Sequence, residues 1–179
     1  MMAITYRKLT EDDELDLNLP NEPIDIIGQL NVNRSDNRWT YTREYFTDKT
    51  EMTFPDENYD IKEVLEGGVA FGAYDHDKCI GLAIMQDDWT KFMYLVDLKV
   101  NRNYRKQGIA RELINECRRE AVERKYKGIY TVAQDNNLIA CRFYLKDGFE
   151  IGGLNTHGYR YTTQEHKSDI YFYSNNKNQ

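Results

Sequence analysis

Cysteine is scarce in this chain of 179 residues: Cys79, Cys117 and Cys141 are odd in number and widely spaced, with no Cys-x-x-Cys pair. A disulfide scaffold and a cysteine-held structural zinc are therefore not expected. Long apolar runs are also missing. No stretch of 18 apolar residues occurs, and the first 20 residues carry Glu11, Asp12, Asp13, Glu14 and Asp16. The expectation is a chain with neither a helical membrane span nor a secretory signal, reduced and cytoplasmic. The phosphate-binding signatures GxxxxGK[ST] and GxGxxG are absent too. No linker, repeat or low-complexity tract appears apart from the polar tail from Ser174 to Gln179, which is expected to fray.

What is present fits one globular domain: 40% hydrophobic and 30% charged residues over a length that buries an ordinary core. The net charge of −6 is unevenly divided. Residues 1–68 hold 16 acidic and 7 basic side chains, a net of −9, whereas residues 99–146 hold 12 basic and 5 acidic, a net of +7. One region would welcome a cation and another an anion, unless these are simply two differently solvated faces. The acidic half disfavours a nucleic-acid partner.

Hydrophobic periodicity gives the order of elements. A short strand and an acidic turn run up to about Asp16, and Pro20 and Pro23 punctuate an irregular stretch. Ile24 to Leu30 is apolar enough to bury. Arg38 to Phe46 alternates like an edge strand or extended loop, and Asp60 to Leu65 reads as a short helix. Val69 to Tyr74 and Lys78 to Gln86 flank Asp75-His76-Asp77 as a hairpin, and Phe92 to Val100 is a third strand. From Ile109 the period turns helical, with Leu113, Cys117 and Ala121 at four-residue steps and Ala110 and Ile114 beside them. Glu120 with Arg124 and Glu123 with Lys127 are spaced as solvent-facing i, i+4 pairs, and Gly128 is the expected C-cap. A buried strand from Ile129 to Gln134, a helix from Asn136-Asn137 to about Lys146 ended by Gly148, and a last strand from Ile170 to Tyr173 complete the chain. The expected fold is a mixed α/β sheet in a single layered domain, an antiparallel meander followed by β-α-β-α-β. Its core spans about residues 69–173, and residues 1–68 form a preceding region.

Arg105-Lys-Gln-Gly-Ile-Ala110 lies between a strand and the first turn of the long helix. A helix start has unpaired N–H groups and a positive dipole end, Gly108 admits close approach, and Arg105 and Lys106 add charge. The segment suits a phosphate or pyrophosphate. In isolation it is equally an ordinary glycine-containing helix start. After the next strand comes Asn137-Leu-Ile-Ala140, Phe143-Tyr144 and Gly148-Phe149, the pattern N-x-x-A-x-x-F-Y-x-x-x-G-F.

Together with Tyr94-Leu-Val-Asp-Leu-Lys-Val100, these segments resemble the GNAT superfamily of acyl-CoA N-acyltransferases from about Val69 to Phe149. The resemblance implies a GNAT fold with a splayed central strand, acetyl-CoA as cofactor and direct transfer of the acetyl group to an amine without metal. It implies that Gln107, Gly108, Ile109 and Ala110, with Arg105 and Lys106, hold the pyrophosphate. Leu98, Lys99 and Val100 would pair with the pantetheine arm, an N–H near Leu98–Lys99 polarising the thioester carbonyl, and Asn137 would bond the same arm. Tyr144 matches the tyrosine that protonates the leaving thiolate; outside this motif it would read as one half-buried aromatic among 14 tyrosines. A base should take the amine proton. Asp97 is the candidate within the strand, with Glu44, Asp87 and Asp88 on the acceptor side. Cys117 and Cys141 fall on apolar helix faces and read as packing.

The acceptor would be set by the acidic, aromatic N-terminal part, where Glu44, Asp48, Glu51, Asp56, Glu57 and Asp60 accompany Trp39, Tyr41, Tyr45, Phe46 and Tyr59. Pro23-Ile-Asp-Ile-Ile-Gly28, Arg38-Trp-Thr-Tyr41, Asp87-Asp-Trp89 and Gln134-Asp-Asn-Asn-Leu-Ile-Ala-Cys141 are similar to the streptothricin acetyltransferase group. This implies acetylation of the β-lysine arm of a polycationic antibiotic, with Trp39, Tyr41, Glu44, Asp87 and Asp88 as acceptor contacts. A polyamine, an aminoglycoside or a protein lysine remains an alternative acceptor, and a non-catalytic acyl-CoA-binding module a different class. A small cationic amine is the expected partner, without nucleic acid or membrane, and a homodimer is compatible with this reading.

Overall fold

The computed structural model describes residues 4–176, so Lys177, Asn178 and Gln179 of the polar tail lie outside the described residues. The elements run β1 (Thr5–Lys8), α1 (Glu14–Leu17), β2 (Ile24–Ser35), β3 (Arg38–Met52), α2 (Ile61–Gly67), β4 (Gly68–Asp75), β5 (Lys78–Gln86), β6 (Phe92–Val100), α3 (Ile109–Glu123), β7 (Gly128–Gln134), α4 (Leu138–Lys146), β8 (Glu150–Asn155) and β9 (Asp169–Asn175). They fall into two compact units that alternate along the chain. Of the described residues, the first contains 4–23, Thr53–Ile129 and Asn176; the second contains Ile24–Met52 and Tyr130–Asn175.

In the first unit β1, β4, β5 and β6 form an antiparallel ladder in the order β1-β4-β5-β6. The β4–β5 turn has His76 at φ 55°, the left-handed geometry that closes a two-residue hairpin. Leu9, Leu17, Ile61, Ala70, Leu82 and Ile84 make one apolar cluster, capped by Tyr59, Val64, Leu65 and Val96. Helix α3 buries Ile109, Leu113, Ile114, Cys117 and Ala121, the stripe its spacing predicts.

Its C-terminus differs from expectation. The helix stops at Glu123, Arg124 is the C-cap, and Lys125 takes the left-handed turn at φ 66°; Gly128 instead opens β7. One left-handed residue suffices to end a helix, and the lysine takes it. Lys127 thus lies beyond the helix, and Glu123 faces Lys8 at 3.9 Å. Glu120 does meet Arg124 at 2.8 Å, yet it is buried rather than solvent-facing, because Lys8 closes on its other oxygen at 2.5 Å. Two cations satisfy one buried carboxylate.

In the second unit β8 and β9 pair antiparallel, in the order β7-β9-β8. The β2–β3 hairpin turns on Asp36 and Asn37, both at positive φ, as a type I′ turn requires. Both strands run further than the sequence pattern suggests. β8 is a strand that the pattern does not reveal, and β9 keeps Ser174 buried instead of frayed. Leu30, Leu138, Cys141, Phe149, Ile170 and Phe172 fill this core. Gly28 has a specific reason to be glycine: a Cβ there would lie 2.0 Å from the Glu44 carbonyl oxygen and 2.9 Å from Leu138. That close approach lets Gly28 bridge to Asn137 while the Leu30 N–H donates to the Asp135 carbonyl at 2.9 Å.

Candidate active site

In the first unit the loop from β6 to α3 ends in a helix start without a side-chain cap. Gly108 is the N-cap of α3 at φ 88° and supplies no side-chain acceptor to the helix's first N–H groups. A Cβ at Gly108 would meet nothing within 4 Å, so the space over these donors is open. Such a terminus fits a pyrophosphate. Lys106 is exposed and makes no ion pair among the described residues, leaving its ammonium available beside the helix start. Ile109 is buried and anchors the first turn; Ala110 is half-buried, and Gln107 donates back to the Asn103 carbonyl at 3.2 Å.

Arg105 has a different part in this structure. Its guanidinium donates to the carbonyls of Val100 (3.0 Å) and Pro23 (2.9 Å) and lies 3.8 Å from Glu22. Glu22 also accepts from the Asn101 side chain at 3.2 Å and from the Arg102 N–H. Arg105 and Glu22 therefore fasten the loop to the end of β6. Nothing in the sequence motif marks Glu22, which lies about 80 residues upstream.

β6 carries the second feature. Its register against β5 slips by one between Ile84 and Met85, which leaves Val96 as an extra residue. Such a bulge re-aims the side chains that follow it. Beyond it Asp97, Leu98, Lys99 and Val100 face Ile84, Ala83, Leu82 and Gly81 on β5. Asp97 and Lys99, two apart, share one face of the strand, and the Lys99 ammonium bridges Asp97 and Glu57 at 2.8 Å each. The Tyr59 hydroxyl is 3.5 Å from Asp97. Burial pushes the Asp97 carboxyl up from its ordinary value, against the opposing pull of Lys99. Burial alone would lower the Lys99 ammonium, but its two carboxylates outweigh it and hold it charged. Burial, with Asp97 and Glu57 beside it, likewise raises the Tyr59 phenol.

In the second unit Asn137 caps α4, its side-chain oxygen accepting from the Ala140 N–H at 3.2 Å. Tyr144 is buried on the same helix, its ring 5.3–5.5 Å from those of Phe143, Phe149 and Phe172. The hairpin holds Trp39, Tyr41 and Glu44. The Trp39 ring already has Arg34 over it at 5.4 Å, and Tyr41 has Arg43 at 5.9 Å. Glu44 accepts from the Asn31 amide at 3.0 Å.

Asp87 and Asp88 belong to the first unit. Asp87 pairs with Arg124 at 2.9 Å and accepts from the Tyr126 hydroxyl at 3.2 Å; Asp88 accepts from the Thr90 N–H at 3.4 Å. The three cysteines are free and buried, and burial pushes Cys141 up to about 12, a poor state for a nucleophile.

An open, glycine-started helix thus follows a bulged strand in this chain. The acetyltransferase (GNAT) family profile matches residues 36–149, and the chain belongs to that family. It is an N-acetyltransferase that uses acetyl-CoA. Streptothricin acetyltransferase A of Bacillus subtilis (strain 168) is 31% identical over 167 residues, covering 93% of this chain and 96% of that protein. A Bacillus anthracis protein assigned as a streptothricin acetyltransferase, crystallised with acetyl coenzyme A, superposes with a TM-score of 0.86 at 26% identity, over 98% of this chain and 99% of that one. Nourseothricin acetyltransferase shares the fold, with a TM-score of 0.81 at 20% identity over 97% and 99% of the two chains. No helix among the described residues is long and apolar enough to cross a membrane.

Proposed function

We propose that the protein acetylates a primary amine on the β-lysine arm of streptothricin and so confers resistance to it. The observation that carries this reading is the 31% identity to Streptothricin acetyltransferase A over 93% of the chain. The acidic bias of residues 1–68, a net of −9, supports a polycationic acceptor. Acetyl-CoA supplies the activated acyl group as a thioester. The N–H groups after Gly108 and the Lys106 ammonium bind its pyrophosphate, and the backbone of Leu98, Lys99 and Val100 aligns the pantetheine arm, to which Asn137 also bonds.

Asp97 is the group proposed to accept the proton of the attacking amine, since its burial makes a carboxylate a stronger base than it is in water. Tyr144 is proposed to return a proton to the departing sulfur. Its ring is fixed by three aromatic neighbours, which suits a placed acid.

The test is a thiol-release assay with acetyl-CoA and, side by side, streptothricin, spermidine, kanamycin and a lysine peptide. The largest kcat/KM is expected with streptothricin. A higher value for any of the other three overturns the acceptor and leaves the acetyltransferase class standing.

A further inference from the structure

The segment from Thr53 to Asp60 has no helix or strand of its own, yet two asparagines fasten it within the first unit. The Asn18 side chain donates to the Tyr59 carbonyl at 3.0 Å and accepts from the Tyr59 N–H at 2.9 Å. The Asn21 side chain donates to the Pro55 carbonyl at 2.8 Å and to the Glu57 carboxylate at 2.9 Å, and the Asn21 N–H donates to Asp56 at 2.6 Å. With the chain clamped on both sides of it, Glu57 loses little further entropy in holding one position. That position is against β6, where the same Glu57 oxygen receives the Lys99 ammonium.

Lys99 lies 2.8 Å from Glu57 and 2.8 Å from Asp97, so one ammonium serves two carboxylates, and the trio carries a net charge of 1 − 2 = −1 when both are ionised. The uncompensated charge rests most easily where water reaches it. The Glu57 side chain is 34% exposed and that of Asp97 13%, so Glu57 keeps its charge and Asp97 is the one driven toward taking a proton. Tyr59, its hydroxyl 3.5 Å from Asp97, also faces the trio, with Tyr94 acting on Tyr59 in turn; burial keeps the Tyr59 phenol neutral, so it adds no charge.

An Asp97–Lys99 pair standing alone would do the opposite. The undivided attraction of an ammonium favours the ionised carboxylate and weakens it as a base. Burial is the main reason that the Asp97 carboxyl stands above its ordinary value, and Glu57 adds to it against the pull of Lys99.

We infer that Glu57 is a positioning residue for the reaction: held by Asn21, it takes a share of the Lys99 ammonium and so keeps the Asp97 carboxylate strong enough to accept the proton of the attacking amine. The inference rests on the proposed role of Asp97 as that base. The test is the pH profile of kcat/KM by thiol release for the wild type, Glu57→Gln, Glu57→Asp and Asp97→Asn. The acceptor is whichever of the four amines turns over fastest, and thermal melts check folding.

Glu57→Gln keeps the shape of the side chain, and its amide oxygen can still accept from Asn21 and Lys99, so the segment stays in place. The inflection on the acid limb is expected about one pH unit below that of the wild type, with the plateau a few-fold lower, as a weaker base requires. Glu57→Asp retains the charge and is expected within about half a unit of wild type. The two carboxylates titrate as a coupled set and the acceptor's own ammonium titrates alike in every variant, so the readout is the difference between variants. An unmoved inflection in Glu57→Gln, where Asp97→Asn abolishes it, overturns this inference alone. An inflection that persists in Asp97→Asn overturns the reading of Asp97 as the base and this inference with it.

Discussion

Replacing Gly108 separates backbone strain from anion binding at the proposed pyrophosphate site. Gly108→Ala adds a methyl at a left-handed position, φ 88°, with no neighbour within 4 Å, so there is strain but no clash. The strain is about 1–2 kcal/mol. In a chain of this size each kcal/mol lowers Tm by about 2–4 °C, so the loss should be about 2–8 °C. Gly108→Asp carries less of this strain, because aspartate tolerates the left-handed region better than alanine.

The aspartate does harm of another kind. Its carboxylate lies beside the N–H groups proposed to hold the pyrophosphate and would repel that anion. Two unit charges about 5 Å apart at an effective dielectric of about 20 interact by about 3 kcal/mol, and salt at this exposed site reduces the figure. A net penalty of about 2–3 kcal/mol corresponds to roughly 30- to 150-fold weaker acetyl-CoA. Titration calorimetry with acetyl-CoA and thermal melts on both variants provide the readouts. Alanine should be the worse for stability and aspartate the worse for binding. Wild-type acetyl-CoA affinity in Gly108→Asp would refute the assignment of the pyrophosphate to this helix start.

The contrast between what the sequence exposes and what it hides has physical causes. β4 and β5 are legible as short continuous apolar runs because both their faces are buried, and α3 because its buried stripe repeats at 3.6 residues. β8 reads Glu-Ile-Gly-Gly-Leu-Asn, with two glycines and little β-propensity, and its strand form comes from pairing with β9. β3 shows mostly exposed positions, so no buried face announces its length, and its register with β2 supplies the order instead.

The same division holds at the site. Gly108 and the loop before α3 are local features and can be read from consecutive residues. The Asp97–Lys99–Glu57 bridge joins a strand to a segment about 40 residues away. Glu57 and Tyr59 look from sequence like members of a general acidic, aromatic patch, and only the folded β6 bulge gives them individual partners. Arg105 shows the converse: its charge suggests phosphate, and the fold adds contacts to the Val100 and Pro23 carbonyls that no local pattern announces.

Further tests address the reacting groups and the acceptor. Tyr144→Phe keeps the ring that packs against Phe143, Phe149 and Phe172 and removes only the hydroxyl, so acetyl-CoA affinity and Tm should hold while kcat falls roughly 10- to 1000-fold. A change confined to acetyl-CoA binding would make Tyr144 a binding residue and no acid. A base must be unprotonated to act, so kcat/KM should rise with pH through the Asp97 pKa, an inflection that burial lifts above the ordinary carboxylate value. Lys99→Met removes the charge that favours the carboxylate, so the inflection should move higher still, and an unmoved profile would place the base elsewhere. The last expectation concerns charge at long range. A net of −9 over residues 1–68 attracts a polycation before contact, and that attraction decays over a Debye length of about 8 Å at physiological ionic strength. Raising salt from about 0.01 to 0.15 M shortens the Debye length from about 30 Å, so kcat/KM for streptothricin should fall while kcat at saturating acceptor stays level. A kcat/KM indifferent to salt would mean that the acidic half does not steer the acceptor, whatever amine the enzyme acetylates.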